Sequence, residues 1–180
     1  MFILQLIAVA ALLLAIATIA WTTVRVGISP MPSSARARKE MLRATENSGK
    51  GPIIDLGSGW GTLVIPLARK YPEREIIGYE LSPVPWLVSR LLKYALNLEN
   101  LSLYRQDFLN ANLSGAAVLV CYLYPGGMAA LQKKLQQEAG GEMRVISNTF
   151  ALPDLPPAKV TRLNDLYKTP IYIYQHRVPF

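Results

Sequence analysis

The sequence predicts an α/β domain built on a doubly wound, mostly parallel sheet that ends in a carboxyl-terminal antiparallel hairpin, preceded by one amino-terminal transmembrane helix. Three observations predict this fold. Strand and helix patterns alternate between residues 53 and 147, a glycine-rich turn follows the first strand, and two β-rich segments lie close together near the end of the chain. At 180 residues, the chain has room for one core and an appendage.

Residues 1–26 are predicted to form a transmembrane anchor. Residues 2–24 are almost all apolar, and the first charged side chain is that of Arg25. About 20 apolar residues are enough to span a bilayer as a helix. Because the basic residues follow this run, the positive-inside rule places the rest of the chain on the cytoplasmic side of the cell membrane, held by a single span. A cleaved signal peptide is the alternative, which the length of the run and the lack of a preceding basic segment disfavour.

Residues 27–50 are predicted to form a connector and a cover helix. Pro30 and Pro32 restrict the backbone of the connector. Ser33 or Ser34 then caps a helix over residues 35–46, whose narrow apolar face is provided by Met41 and Leu42.

Residues 51–180 are predicted to form the main domain. Its pattern gives strands at residues 53–56, 75–80, 101–105, 116–122 and 143–147, with helices at 63–71, 86–98 and 126–138. After a proline-rich link, segments 160–167 and 171–175 are expected to pair as an antiparallel hairpin at one edge of the sheet.

A glycine loop follows the first strand. Gly57, Gly59 and Gly61 are spaced two apart, and Asp55 precedes them. A strand, tight turn and helix in this order present backbone N–H groups and a positive helix end to a ligand. The spacing differs from the G-x-G-x-x-G of dinucleotide sites, and the Gly-Lys-Ser/Thr ending of a P-loop is missing. Our interpretation is that the loop binds S-adenosylmethionine.

Polar and aromatic residues follow the next strands. In doubly wound sheets, ligands bind beyond the carboxyl ends of the strands, where the strand order reverses. Glu80 lies about 20 residues beyond the loop, where a carboxylate can accept ribose hydroxyls. Asp107 could accept a hydrogen bond from the exocyclic amine of adenine, and Phe108 could pack on the adenine ring. Each acid could instead form a turn or cap a helix.

The order Asp55–Gly61, Gly78–Glu80 and Gln106–Phe108 resembles the class I S-adenosylmethionine-dependent methyltransferases, which have a Rossmann-like fold, across about residues 35–176. Tyr122–Pro125 and Arg144–Ser147, with the terminal hairpin, are similar to the membrane-anchored protein lysine methyltransferases of the family with sequence similarity 173. That family includes mitochondrial enzymes modifying the ATP synthase c subunit and the adenine nucleotide translocase, and soluble archaeal relatives. Such relatives usually have Asp at the position of Trp60.

The resemblance implies a role for each matched residue. Asp55 and the three glycines would hold the methionine part of the cofactor, Glu80 the ribose, and Asp107 with Phe108 the adenine. Tyr122, Tyr124 and Pro125 would line the channel of the acceptor amine. The implied activity is N-methylation of a lysine in a membrane-associated protein. A lipid or small-molecule amine as acceptor, and an inactive membrane-anchored binding module, remain open.

Composition narrows the partners. The net charge of +7 and pI of about 9.6 suit a domain lying against anionic lipid. The basic residues do not form a dense stripe interleaved with aromatics, so no nucleic-acid partner is expected. Cys121 is the sole cysteine, which excludes an internal disulfide, and no metal-ligand spacing occurs. The sequence does not indicate an oligomeric state.

Overall fold

The computed structural model describes residues 1–7, 9–10, 13, 16–17, 32–138 and 141–177. The described residues between positions 2 and 17 are helical, and their side chains are exposed. The predicted span over residues 2–24 and the connector before residue 32 fall partly on residues that lie outside this description. Among the described residues, no helix is both long and apolar enough to cross a bilayer.

The domain is built on a seven-stranded sheet with the order β3-β2-β1-β4-β5-β7-β6. Strands β1 to β5 are parallel to one another, whereas β7 is antiparallel to both β5 and β6. The strands are β1 Ile53–Leu56, β2 Ile76–Tyr79, β3 Leu101–Tyr104, β4 Val118–Cys121, β5 Glu142–Asn148, β6 Lys159–Arg162 and β7 Pro170–Arg177. This confirms the mostly parallel, Rossmann-like sheet with its carboxyl-terminal hairpin. The strand order reverses between β1 and β4, where a ligand site is expected.

Helices cover both faces of the sheet. They are α1 Ala35–Ala44, α2 Val64–Lys70, α3 Pro83–Ala95 and α4 Pro125–Gln137, with a 3-10 turn at Phe108–Asn110. Helices α1 and α2 share one hydrophobic cluster with the sheet, and α4 belongs to the cluster on the other face. Helix α3 packs at the edge strand β3. Only the 3-10 turn lies between β3 and β4, so the alternation of strands and helices is shortened there.

Helix α1 is capped at its amino-terminal end and bonded to the sheet at its carboxyl-terminal end. The hydroxyl of Ser34 accepts the N–H of Ala37 at 3.2 Å, which makes Ser34 the cap of the two predicted alternatives. The side chain of Met41 is buried in the core. At the other end, the Arg144 guanidinium of β5 donates to the Ala44 carbonyl at 2.9 Å. The carboxyl-terminal end of α1 is thereby held next to β5.

The prediction that the first hairpin strand extends to residue 167 is wrong. Strand β6 ends at Arg162, and a turn occupies residues 163–169. The Asp165 carboxylate accepts the N–H of Thr169 at 2.8 Å, and the N–H of Leu163 donates to the Thr169 carbonyl at 2.9 Å. These bonds close the chain on itself, so its backbone groups are not available for continued pairing with β7.

Candidate functional site

A pocket opens at the carboxyl ends of the strands on both sides of the point where the strand order reverses. Its volume is about 920 Å³ when the open mouth is included. The lining comes from five separate parts of the chain: Pro32, Ser33 and Met41; Asp55, Gly57, Ser58, Gly59, Trp60, Thr62 and Leu63; Tyr79, Glu80, Leu81 and Ser82; Gln106 and Phe108; and Tyr122 and Leu123.

The glycine loop is held against the end of β2. Gly57, Gly59 and Gly61 have φ values of +79°, +53° and +79°, a region in which other residues are strained. The N–H groups of Gly57 and Ser58 both donate to the Tyr79 carbonyl at 2.9 Å. The N–H of Gly59 is used inside the protein too, as described next. The expectation that the loop directs its N–H groups at a ligand is therefore wrong for these three residues.

A close approach between β2 and the loop depends on Gly78. A Cβ atom at this position would lie 2.9 Å from the Ser58 hydroxyl oxygen and 2.8 Å from a methyl carbon of Leu103. The Ser58 hydroxyl is buried at the pocket and has no hydrogen-bond partner in the part of the chain that the structure describes. A polar ligand in the pocket could satisfy it, because buried polar groups are normally paired.

Two carboxyl groups share the pocket wall. Asp55 in β1 is 4% exposed, and its Oδ2 atom finds no hydrogen-bond partner among the described residues. Burial raises the pKa of Asp55 to about 8, and the nearby Glu80 contributes to the rise. The Glu80 carboxylate accepts the N–H of Gly59 at 2.8 Å and that of Ser82 at 2.6 Å. Each of its oxygens can accept a further bond, so the pair suits a ligand that carries a cation and hydroxyl groups.

The two residues predicted to bind adenine lie differently. Phe108 lines the pocket, whereas Asp107 is not among the lining residues. The Asp107 carboxylate accepts the N–H of Leu109 at 2.9 Å and caps the 3-10 turn. Asp107 thus has the turn-forming role that the sequence left open. Its neighbour Gln106 reaches the pocket, although sequence reasoning gave it no role of its own.

Of the residues predicted to form the acceptor channel, only one lines the pocket. Tyr122 lines the pocket, and its ring stacks on that of Phe150 at 6.4 Å with 11° between the planes. Tyr124 and Pro125 lie outside the lining, because Tyr124 is the capping residue of α4 and Pro125 is the first residue of that helix. Gly61 is likewise not among the lining residues.

A strained turn at the end of β5 places Phe150. Thr149 has a φ of +70°, which is rare for a β-branched residue, and the N–H of Phe150 donates to the Asn148 carbonyl at 2.8 Å. The Asn148 amide donates to the Ser33 hydroxyl at 3.0 Å. This bond joins the segment before α1 to the end of β5. Sequence reasoning missed these residues, since no local pattern relates positions 33 and 148.

Cys121 is fully buried in β4, and burial raises the pKa of its thiol to about 12. A thiol with such a pKa stays protonated and unreactive near neutral pH. Within the described ranges, no group of three or more His, Cys, Asp or Glu side chains is arranged to hold a metal ion.

Comparison with known proteins reveals clear relatives. The ANTKMT methyltransferase domain family matches residues 55–159, which is more than half of the chain. The human lysine N-methyltransferase of the ATP synthase C subunit is 34% identical over 115 residues, covering 62% of this chain and 48% of its own. The mouse adenine nucleotide translocase lysine N-methyltransferase is 30% identical over 139 residues, covering 76% of this chain and 59% of its own. The chain therefore spans about half to three-fifths of the length of these relatives.

The fold recurs in a solved structure of an RNA methyltransferase from Salinibacter ruber in complex with S-adenosyl-L-homocysteine. The two superpose with a TM-score of 0.72 over 83% of this chain and 96% of the other, at 24% sequence identity. At this identity the likeness shows the fold alone.

Proposed function

The chain belongs to the ANTKMT methyltransferase domain family, and from that membership we propose that it transfers a methyl group from S-adenosylmethionine to a lysine side chain of a membrane-associated protein. The observation that carries the proposal is the buried acid pair, Asp55 and Glu80, beside the glycine loop. A lipid or small-molecule amine is the alternative acceptor within the same chemistry.

The pocket residues fit this cofactor. The unpartnered Asp55 oxygen would accept from the cofactor's ammonium group, because a buried carboxylate requires a cationic or hydrogen-bonding partner. Glu80 retains acceptor capacity for the ribose hydroxyls. The Phe108 ring lines the pocket beyond Glu80 and offers an apolar surface for the adenine. When bound, the cofactor supplies a methyl group that is already activated by the positive sulfonium.

The chain's own residues would then position the acceptor. The Tyr122 ring lines the pocket and stacks on that of Phe150, and aromatic faces attract ammonium and methylammonium groups. Burial of a lysine next to a positive charge lowers its pKa, so the amine can enter in the neutral, nucleophilic form after losing its proton to water. The remaining requirement is alignment behind the methyl group, which rigid flanking strands supply. The strained Thr149 turn fixes one side of this arrangement.

Cofactor binding is the first test. Isothermal titration of the full chain with S-adenosylmethionine should show binding that Asp55→Asn or Glu80→Ala weakens roughly 10- to 100-fold, the usual value of a lost charge-assisted hydrogen bond. Asp107→Asn is the matched control, since Asp107 lies outside the pocket lining and its substitution should leave the affinity nearly unchanged. Equal affinities of the wild type and the Asp55 variant would contradict the proposed site.

The same titration has a pH signature. In the free protein the pKa of Asp55 is about 8, and a cationic ligand requires the ionised carboxylate. The wild-type affinity should therefore rise roughly tenfold for each pH unit between 6 and 8 and then level off. The Asp55→Asn variant should show little change over this range. A flat wild-type profile would exclude Asp55 as the partner of a cation.

We also propose that the amino-terminal segment anchors the protein in the cell membrane by a single span, with the main domain on the cytoplasmic side. The described residues of this segment support the proposal with exposed apolar side chains, including Phe2, Leu4 and Ile7. The full chain should remain with membranes after carbonate extraction. Protease added to inverted vesicles should digest the domain. If the domain were instead protected in inverted vesicles and digested in intact cells, it would lie on the outer side of the membrane.

The acceptor can be identified by transfer of an isotopic methyl group to membrane extracts. Label in a protein lysine, located by peptide mapping, would support the proposal, and label in lipid would make the headgroup amine the acceptor. An extract that yields no S-adenosylhomocysteine would instead favour a binding module without turnover. Trp60 lines the pocket at a position where relatives of the resembled family usually have Asp. This difference is the reason for testing the binding module without turnover.

A further inference from the structure

Helix α3 leaves several of its apolar side chains on the side that faces away from the domain. Its buried residues are Pro85 and Ser89, which face the domain. On the opposite side, Leu87 is 50% exposed, Leu91 60% and Tyr94 59%. Residues 87, 91 and 94 are four and three positions apart, so they form one continuous stripe. We call this stripe the α3 outer face.

The inward position of Ser89 is small for a reason found in the glycine loop. A Cβ atom at Gly61 would lie 3.0 Å from the Ser89 Cβ, so the helix and the loop are in close contact there. The Ser89 hydroxyl donates to the Trp86 carbonyl of its own helix at 2.8 Å and leaves no unsatisfied group. The apolar outer face is therefore not needed for packing within the described part of the chain.

Cations flank the outer face. The Arg90 guanidinium lies 5.1 Å from the centroid of the Trp86 ring and 5.7 Å from that of Tyr94. The Lys93 ammonium lies 5.8 Å from the Tyr94 ring. Residues 83–96 contain no acidic residue, and the whole chain has a net charge of +7. Leucine on one side, with aromatic rings and basic groups beside it, is the composition of helices that lie in a membrane interface.

We propose that the α3 outer face docks on the surface of an anionic bilayer, with Leu87, Leu91 and Tyr94 in the acyl boundary and Arg90 and Lys93 among the headgroup phosphates. The proposal does not depend on methyl transfer. It goes beyond the anchor, because it specifies which surface of the domain lies on the membrane.

The charges favour lipid over a second copy of the chain. A two-fold contact through the same face would bring Arg90 and Lys93 of both copies towards each other without a compensating acid on the helix. An anionic headgroup layer removes that repulsion and adds attraction for each basic residue.

The amino-terminal end of α3 lies next to the pocket. Leu81 lines the pocket rim, is 42% exposed and lies two residues before the first residue of α3. A bilayer in contact with α3 would therefore approach the mouth of the pocket. An acceptor lysine near the membrane surface could enter without leaving the interface.

The test uses the full chain with an environment-sensitive fluorophore at one of two positions. Leu91→Cys places the probe on the outer face, and Gln136→Cys places it on the exposed side of α4 as the matched control. Cys121 is fully buried and should not react with the label. Flotation with vesicles reports membrane attachment of the chain independently of the probe.

Vesicles of phosphatidylglycerol and phosphatidylcholine should increase the emission at position 91 and shift it to shorter wavelength, while position 136 remains in water. Phosphatidylcholine alone should give a much smaller change. Replacing Arg90 or Lys93 by Gln should weaken docking roughly fivefold for each charge removed, as expected for basic groups at an anionic surface.

A chain that floats with anionic vesicles while position 91 stays in water would overturn the docking and leave the anchor intact. An equal change on neutral and anionic vesicles would overturn it as well, and so would a lipid-independent change that grows with protein concentration, which would indicate a second copy. Cofactor titration of the same variants should be unchanged, so failure of docking is distinguishable from failure of the proposed function.

Discussion

Helices α3 and α4 have the same length and opposite orientations of their apolar residues. Both have 13 residues and begin with proline. Helix α4 buries Met128, Leu131 and Leu135 against β4 and β5, whereas α3 buries Pro85 and Ser89 and leaves its leucines outside. Hydrophobic content alone therefore does not tell whether a helix supports the core.

The difference follows from what each helix meets on the sheet. Helix α4 lies over apolar strand residues and is the main cover of its cluster. Helix α3 meets the glycine loop, where Gly61 and Ser89 leave no room for a large side chain. A helix next to a ligand loop is thus shaped by close approach, and its remaining apolar residues are available for another role.

The largest expected effect tests which leucines hold the fold. Leu131→Ala in α4 should lower the free energy of unfolding by about 2–5 kcal/mol, because it removes a fully buried side chain and leaves a cavity. Leu91→Ala in α3 should cost no more than about 0.5 kcal/mol. Urea titrations of both variants measure the contrast, and equal losses would show that α3 also supports the core.

A second variant gives α3 a buried leucine, as α4 has. Ser89→Leu should destabilise the protein by about 1–3 kcal/mol through overpacking against the glycine loop. It should also weaken cofactor binding, because the loop must move. Ser89→Ala preserves the small volume and serves as the control. If the leucine variant stabilised the chain, close approach could not be the reason for the reversed face.

A third prediction concerns a pocket residue, Asp55, and the pH dependence of stability. The pKa of Asp55 is raised from 3.8 to about 8, so the folded protein prefers the protonated form. This contribution to stability is fully present below about pH 4 and is lost as the pH rises to about 8. Relative to Asp55→Asn, the wild type should lose about 1.4 kcal/mol between pH 6 and pH 7. Parallel unfolding curves of the two proteins would contradict the raised pKa.

The smallest effect concerns the charged sides of the two helices. Lys134 of α4 donates to Glu138 at 2.5 Å, with side chains only 12% and 21% exposed. Lys134→Gln should cost about 0.5–1 kcal/mol in low salt. Arg90→Gln on α3 should not change stability, since that cation flanks an exposed surface. Thermal unfolding at low and high salt distinguishes a screened ion pair from lost packing.

The parts of the fold that depend on short segments could be predicted from the sequence. Residues 53–64 contain a strand, a turn and the first residue of a helix within twelve positions, and the structure confirms that order. The end of β6 was not predicted, because much of Val160–Tyr167 has strand composition, whereas the turn depends on the Asp165 side chain and on the bond from Leu163 to Thr169. Periodicity likewise predicted α3 but not which side its stripe would face, which depends on the distant Gly61.

The site shows the same division. Asp55 is the third residue of β1 and Glu80 directly follows β2, so their positions near the carboxyl ends of these strands follow from the topology. Asp107 lies in a loop, where a single local bond to Leu109 is enough to divert its carboxylate from the pocket. Ser33 lines the pocket and bonds to Asn148, and Phe150 supports the Tyr122 ring, through contacts between distant parts of the chain that no local pattern encodes.

The bond between Ser33 and Asn148 also bears on the proposed membrane anchor. Pro32 and Ser33 form part of the pocket wall, so the chain enters the site only eight residues after Val24. Even a fully extended backbone covers at most about 28 Å over that length. If the proposed membrane span ends at Val24, the pocket can lie no farther than this distance from the bilayer surface. Under the proposed function, lysines farther from the bilayer than this length of chain would not be methylated, however well their sequence suited the pocket.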